Sequence, residues 1–382
     1  MSDMLYVKER PAIHGHFEIS PQVERNGQSI FIIKNLDHPE YLKVSPLEMF
    51  LWEYMDGRNT LEDLERLFHE KFGLSGLKRI ENLINLLDNK GWIVIHDRKR
   101  AQRTPEFPAV SLFARRLSAI SQTRITIRGF DHSIQKIYDC CLWVIFTPLG
   151  QGMLGIVTAI GLVLFWVQAR QTPPQSSAPI TWVSTLIFTL AYILVTLMMH
   201  EFAHALTCKH FGREVNAAGF MLYFGMPAFF VDTTDVWMAP RRARILVSWA
   251  GPYANFILAA VASIVYSLWP GLLWKAYLFQ FVALSVFVGL FNLIPLLKFD
   301  GYYILSELFG QYNLREKTFR FFMGGALVDK VFRREPFSKE ELTYVLYGIP
   351  AFFASAFLIH LAWRAWQGFF GDILNQLLAY MT

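Results

Sequence analysis

Residues 180–206 read ITWVSTLIFTLAYILVTLMMHEFAHAL, and this stretch decides the fold class. Its first twenty residues carry no charged side chain, and about 20 apolar residues are what an α-helix needs to cross the hydrocarbon of a bilayer. His200, Glu201 and His204 follow within the same run. Because ionisable side chains are costly inside a membrane segment, their presence there indicates a functional site.

Other apolar stretches are also long enough to span a membrane. The further predicted spans are Leu142–Val167, Ile245–Leu268, Ala276–Leu297 and Tyr344–Trp366. The shorter run Ala217–Val231 is interrupted by glycine and proline, so we expect a re-entrant hairpin there. A hydrophobic content of 53% and a mean hydropathy of +0.30 exclude an ordinary soluble protein. The sequence therefore predicts a mainly α-helical membrane protein with about five transmembrane helices.

Basic residues indicate how the spans are oriented. The loops Thr207–Arg244 and Gly301–Thr343 are rich in lysine and arginine, whereas the opposite loops carry only Arg170 and Lys275. The positive-inside rule then places the N-terminus, both long loops and the site in the cytoplasm. We expect a multi-pass protein of the cell membrane, and in a bacterium this is the inner membrane.

Residues 1–97 are predicted to form a small soluble α+β domain. Its expected strands are Ser29–Lys34, Tyr41–Val44 and Trp92–Ile95, and its expected helices are Pro46–Met55, one that starts at Thr60 and one that runs through Leu77–Leu87. Thr60 and Asp63 have the spacing of a capping box. This layout is winged-helix-like. Residues 98–141, which carry much lysine and arginine, are predicted to be a basic juxtamembrane linker to the membrane domain 142–382.

The spacing of His200 and His204 indicates a metal site. Residues four apart share one face of a helix, so both imidazoles can bind one zinc ion, with Glu201 beside them to act on water. Two alternatives remain open at this point. The two histidines could be hydrogen-bonded core residues beside a buried acid, or the zinc could be purely structural.

Two histidines leave the metal one protein ligand short of the three that catalytic zinc sites have. Asp300 follows the predicted span Ala276–Leu297, at the same cytoplasmic depth as His204. We therefore predict Asp300 as the third ligand. The alternative is that Asp300 and Gly301 form an ordinary turn after a helix.

These motifs together resemble the site-2 protease family of intramembrane metalloproteases. The family's spacing is matched by the H-E-x-x-H motif, by Ala250-Gly251-Pro252 with Asn255, and by Asn292 and Pro295 with Asp300 and Gly301. The matched motifs cover roughly residues 180–305. The motif Phe299-Asp300-Gly301-Tyr302-Tyr303 further resembles the corresponding motif in the branch of peptide zinc metalloproteases.

The resemblance implies a role for each of these residues. His200, His204 and Asp300 would bind Zn²⁺, and Glu201 would be the general base. Asn292 would hydrogen-bond the substrate backbone or the developing oxyanion, although it could instead cap groups near Pro295. The substrate would be a peptide or a single-span membrane protein. A substrate helix must unwind before cleavage, so the segment Ala217–Val231 could pair with the extended substrate along Phe220–Tyr223, or it could be a packing loop.

The N-terminal domain resembles the small peptide-binding chaperone of pyrroloquinoline quinone biosynthesis. The pattern runs from Val44-Ser45-Pro46 through Asp56-Gly57 to Gly91-Trp92. The resemblance implies that it recognises a peptide, with a structural or dimerising module as the alternative. Residues 17–96 contain nine Lys/Arg and thirteen Asp/Glu, a balance that argues against nucleic acid as a partner.

The sequence thus predicts a zinc metalloendopeptidase in the membrane, with the lipid bilayer as its surroundings. Its peptide-bond hydrolysis could serve maturation or export of a ribosomally made peptide. One alternative is intramembrane proteolysis of a transcription regulator. A different class of protein, an export scaffold with structural zinc, also fits. The sequence does not determine the oligomeric state.

Overall fold

The fold is described from a computed structural model of the chain. The described residues are 9–21, 23–25, 28–96, 124–127, 129–171, 182–223, 226–269, 274–311, 313–357, 360 and 364. The chain divides into two compact units. The first comprises Met1–Ile125 with Met221–Pro227 and Trp237–Pro240, and the second comprises Thr126–Phe220, Ala228–Val236 and Arg241–Thr382.

Among the described residues, six strands and three helices form the N-terminal part of the first unit. In chain order they are β1 (Arg10–Ile13), β2 (Phe17–Ile19), β3 (Val23–Arg25), β4 (Gln28–Asn35), β5 (Glu40–Val44), α1 (Pro46–Tyr54), α2 (Leu61–Phe72), α3 (Leu77–Asn89) and β6 (Ile93–His96). Strand β4 pairs antiparallel with β2, β3 and β5, and β1 pairs antiparallel with β6. The predicted strands and helices are confirmed, while β1, β2 and β3 were not predicted.

Helix α2 shows why these elements form where they do. The Thr60 hydroxyl accepts from the Asp63 backbone N–H, and the Asp63 carboxylate accepts from the Thr60 backbone N–H, which confirms the predicted capping box. Hydrogen bonds from Thr60 hold the pKa of Asp63 below its usual value. The helix ends at Gly73, whose φ of 66° is left-handed. Its buried face includes Leu64 and Phe68, each of which stabilises the fold by about 1.5–3 kcal/mol through burial.

The second unit contains the long apolar helices. The remaining described elements of the chain begin with β7 (Arg124–Thr126), α4 (Phe130–Cys140), a 3₁₀ helix (Leu142–Phe146), α5 (Pro148–Ala169) and α6 (Trp182–His210). They continue with β8 (Ala217–Tyr223), β9 (Met226–Asp232), a 3₁₀ helix (Thr234–Met238), α7 (Arg241–Leu268), α8 (Lys275–Asn292), α9 (Asp300–Leu308), α10 (Leu314–Met323) and α11 (Ala326–Arg333). Residues 339–357 are also helical.

Four helices among the described residues are long and apolar enough to cross a membrane: Pro148–Ala169, Leu186–His210, Arg241–Leu268 and Lys275–Asn292. They match four of the five predicted spans, with shifted ends. The first begins at Pro148, because Thr147 caps the helix and proline fits its first turn. The fourth ends at Asn292 rather than Leu297, because Pro295 has no N–H and disfavours helix in the residue before it. The fifth predicted span, Tyr344–Trp366, extends past the described residues and stays a prediction.

Helix α7 packs against α5, α6, α8 and α9. Small residues allow this close packing, as expected where helices meet in a bilayer. A Cβ on Gly161 of α5 would lie only 2.3 Å from the Ala260 Cα. Nearby, the Gln168 side chain donates to the Ser263 carbonyl over 3.0 Å. These contacts fix α7 as the helix against which the others are positioned.

Strands β7, β8 and β9 form a sheet in that order. The expected hairpin over Ala217–Val231 therefore consists of two strands, and its placement relative to a membrane stays a prediction. Because β8 lies between two neighbours, the outer strand of this sheet on the hairpin side is β9. The sequence hypothesis had put substrate pairing along Phe220–Tyr223 of β8, which the order of the described strands places in the middle of the sheet.

Candidate metal centre

Helix α6 carries the two histidines on one face near its C-terminal end. The ring centroids of His200 and His204 are 4.8 Å apart. Both residues are buried. The 3.6-residue period of the helix is what brings them together, as the four-residue spacing predicts. One helix thus supplies two nitrogen ligands pointing to one place.

Asp300 reaches the same place from the first residue of α9. Its Oδ2 lies 3.1 Å from His200 Nε2, and its Oδ1 lies 3.5 Å from His204 Nε2. Potential ligand atoms of the three residues all lie within 4.8 Å of one another. A carboxylate at the N-terminal end of a helix is also favoured by the helix dipole. The structure thus brings together the three residues that the sequence analysis had grouped.

The opposite ring nitrogens of the histidines have partners of their own. His204 Nδ1 lies 2.6 Å from the Val247 carbonyl of α7, which can only accept, so this nitrogen carries the proton. His200 Nδ1 lies 3.1 Å from the Asn255 side-chain amide. The Asn255 Oδ1 is buried without a hydrogen-bond partner, and turning that amide over would place it at His200 Nδ1 as an acceptor. Such partners fix the tautomer of metal-binding histidines.

This arrangement fits a cation between the three side chains. With protons on the Nδ1 atoms, the Nε2 lone pairs face the carboxylate of Asp300, so acceptors face acceptors. Asp300 Oδ2 is buried and has no hydrogen-bond partner. Buried groups of this kind need a charge partner, which a metal ion provides. Two imidazoles with one carboxylate form one of the usual ligand sets of catalytic zinc, which keeps a further position open.

Gly251 leaves the space that an ion would need. A Cβ on this residue would lie 2.4 Å from His204 Nε2 and 2.5 Å from His200 Nε2. Gly301 is similarly confined, since its Cβ would lie 2.2 Å from the Leu293 carbonyl oxygen. Both positions therefore require glycine because other atoms approach closely: the two histidine rings at Gly251, and the Leu293 backbone at Gly301.

Glu201 lies next to His200 in the chain, and a strand fixes its carboxylate. The Val231 backbone N–H of β9 donates to Glu201 Oε2 over 3.1 Å. Asn292 is the remaining predicted site residue, and its side-chain amide donates to the Val288 carbonyl of its own helix over 3.0 Å. In this structure Asn292 therefore bonds a backbone carbonyl of its own helix, as the capping alternative predicts, and not one of the three candidate ligands.

Several residues of the site escaped the sequence analysis. The Val247 carbonyl and the Val231 N–H are backbone groups, which no side-chain pattern reveals. Asn255 and Gly251 stood in a recognised motif, but the motif gave no role to either. The spacing of residues along α7 could have indicated a role, because Val247, Gly251 and Asn255 are four apart and share a face.

Comparison with known proteins yields several bacterial relatives named as zinc metalloproteases. Rip2 of Mycobacterium tuberculosis is 28% identical over 235 residues, which are 53% of this chain and 84% of that protein. YydH of Bacillus subtilis, named as a peptide zinc metalloprotease protein, is 29% identical over 126 residues, 31% of this chain and 46% of its own. YwhC of the same organism is 29% identical over 159 residues, 34% of this chain and 71% of its own.

These relatives support a zinc metalloprotease family for this chain. A metalloprotease of this kind is a hydrolase, and its cofactor is Zn²⁺. The four apolar helices and these bacterial relatives fit a multi-pass membrane protein. No family model matches the sequence, and no solved structure matches it.

Proposed function

We propose that this protein is a membrane-embedded zinc endopeptidase of the site-2 type, which hydrolyses a peptide bond at or within the bilayer. The observation that carries the proposal is the meeting of His200, His204 and Asp300 at the end of an apolar helix. The positive-inside pattern of the loops supports a cytoplasmic position for this end. The protein would then be oriented with its N-terminal domain in the cytoplasm.

The mechanism assigns each residue a task. His200, His204 and Asp300 would hold the zinc ion. A zinc ion supplies Lewis-acid polarisation of a carbonyl oxygen and makes water a stronger acid. A carboxylate oxygen of Glu201 accepts a proton from the attacking water. Glu201 then delivers this proton to the nitrogen of the leaving amine. The Val231 N–H on Oε2 keeps this carboxylate in place.

Asn292 has the groups to contact the substrate backbone. One of its amide hydrogens is bound to the Val288 carbonyl. Its second amide hydrogen and its oxygen can bond a peptide C=O and N–H. We assign it the role of holding the extended substrate or the developing oxyanion.

Strand β9 is the surface to which the substrate would add. A helical peptide bond is inaccessible, so a substrate must unwind, and a strand edge can supply main-chain hydrogen bonds to it. The Val231 N–H points away from β8 and to Glu201, so the edge lies beside the proposed general base. In a strand, N–H groups two residues apart point the same way. The backbone N–H of Phe229 therefore points in the same direction as that of Val231.

Phe229→Pro should lower kcat/KM with zinc content unchanged. The substitution removes one outward N–H, and one backbone hydrogen bond contributes about 0.5–1.5 kcal/mol, so a decrease of roughly 2- to 12-fold is expected. Phe229→Ala is the matched control, because it also loses the ring contact with Phe220 (centroids 4.0 Å apart) but keeps the N–H. Equal rates for the proline and alanine variants would exclude edge pairing at this residue.

For the N-terminal domain we propose peptide recognition. Its acidic balance suits a basic or neutral peptide better than a nucleic acid. The name of the relative YydH, a peptide zinc metalloprotease protein, fits a peptide substrate, and maturation or export of a ribosomally made peptide is the setting that we propose. Regulated cleavage of a membrane-bound transcription regulator is the alternative setting for the same chemistry.

Metal removal tests the proposed function directly. The purified chain in detergent should contain one zinc ion and should cleave members of a mixture of synthetic membrane-span peptides, with products read by mass spectrometry. Treatment with 1,10-phenanthroline should abolish the products, and added Zn²⁺ should restore them. A chain that binds zinc and folds normally but yields no product from any peptide would favour the export scaffold instead.

A further inference from the structure

The first turn of α7 holds the last turn of α9 through two arginines. Arg244 Nη2 lies 2.9 Å from Glu307 Oε2, and the two side chains are only 5% and 11% exposed. Arg241 Nη2 donates to the Leu308 carbonyl over 2.5 Å. The end of α9 is therefore attached by a buried ion pair and by a capped carbonyl, both from the same short segment of α7.

The two helices joined in this way carry different parts of the metal centre. On α7, Val247 accepts from the His204 ring, and it follows Arg244 by three residues. On α9, Asp300 is the first residue and Glu307 follows it by seven, so both lie on one face two turns apart. The arginine contacts thus link the helix that orients a histidine to the helix that carries the carboxylate.

A short helix needs such a link. Helix α9 has nine residues, which corresponds to about 13 Å of helix. A small tilt at its far end therefore displaces its first residue. Metal sites tolerate such displacement poorly, because ligand distances are confined to a few tenths of an ångström.

We propose that Arg244 and Glu307 are positioning residues for the third metal ligand, Asp300, and that Arg241 assists them. This inference rests on the metal centre of the proposed function and adds a determinant of metal affinity outside the ligand set. A buried ion pair contributes little net stability compared with apolar packing. Its geometric requirement is strict, however, and this suits it to fixing the relation of α9 to α7.

The test is the zinc affinity of the full chain in detergent, measured by competition with a chromophoric chelator. Glu307→Gln should raise the zinc Kd by about 10-fold or more, the usual effect of losing a residue that supports a ligand. With Co²⁺ in place of zinc, the intensity of the visible absorption should also change. The double reversal Arg244→Glu/Glu307→Arg should recover most of the lost affinity.

A merely structural role predicts a different pattern. It would lower the melting temperature of the zinc-free chain and leave the zinc Kd of the folded protein unchanged. The matched control is Glu341→Gln, which breaks the Lys330–Glu341 pair (2.5 Å, side chains 24% and 20% exposed) and should leave the zinc Kd unchanged. If Glu307→Gln does not fold, the milder Arg241→Gln, at an exposed residue, should show a smaller change in the same direction.

A double-mutant cycle separates this inference from the proposed function. In an Asp300→Asn background the Glu307→Gln change should no longer alter the zinc Kd, because it acts through the missing carboxylate. Equal Kd ratios in both backgrounds, or no effect of Glu307→Gln at all, would overturn the positioning role and leave the metal centre standing. No effect of Asp300→Asn itself would overturn the metal centre, and the positioning role with it.

Discussion

Glu201→Gln should leave zinc bound and remove peptide cleavage. The amide has nearly the same shape and can still accept the Val231 N–H, so the strand and the histidines stay in place. It cannot take a proton from water, and loss of a general base lowers rates by about 10²- to 10⁴-fold. The measurement compares zinc content with turnover for the purified variant, and it compares membrane-peptide profiles of cells that express either form.

The matched control for this prediction is Glu316→Gln. Glu316 forms an exposed ion pair with Lys298 over 3.2 Å, so the same chemical change there should leave turnover unaltered. Retained cleavage by the Glu201 variant would show that Glu201 is not the general base. A variant that loses zinc as well would show instead that Glu201 supports the metal.

The Gly251→Ala variant should bind zinc much more weakly, although Gly251 is not a metal ligand. The added Cβ would lie 2.4 Å from His204 Nε2 and 2.5 Å from His200 Nε2, which is closer than non-bonded atoms approach. Either the histidines turn away or α7 moves back, and both changes separate the ligands. We expect the zinc Kd to rise by at least about 100-fold, the upper end of what supporting residues contribute, and turnover to fall with it.

Gly155→Ala serves as the control for that change. Gly155 also lies in an apolar helix, α5, and a Cβ there meets nothing within 4 Å. Its substitution should slightly favour the helix and leave zinc binding as it was. Normal zinc affinity in the Gly251 variant would mean that the metal is held elsewhere than between the two histidines.

The sequence predicted four long apolar helices and the three helices of the N-terminal domain because their signals are local, whereas α4, α9, α10 and α11 were not predicted. Long apolar runs and the capping pair Thr60 and Asp63 act within a few residues of themselves, but the effects of Pro148 and Pro295 on the span ends were overlooked. Strands β1, β2 and β3 were missed, since they have three or four residues each and depend on pairing with strands elsewhere in the chain. The order of β8 and β9 was missed for the same reason.

The part of the site that depends on side-chain type and spacing could be predicted from the sequence. The sequence grouped His200, His204 and Asp300 because two of them share a helix face and the third follows a later apolar run, and the structure brings the three together. The supporting contacts were not predictable. The Val247 carbonyl depends on how α6 packs against α7, and the pairing of Arg244 with Glu307 joins residues 63 positions apart.

The order of the ligands along the chain has a consequence for biosynthesis. A ribosome translates His200 about a hundred codons before Asp300, which at roughly 5 to 20 residues per second is a delay of about 5 to 20 seconds. Until α9 emerges, the nascent polypeptide has only two of the three proposed zinc ligands. Under the proposed function, translation products that stop before this helix would lack the third ligand and could not cleave a peptide bond.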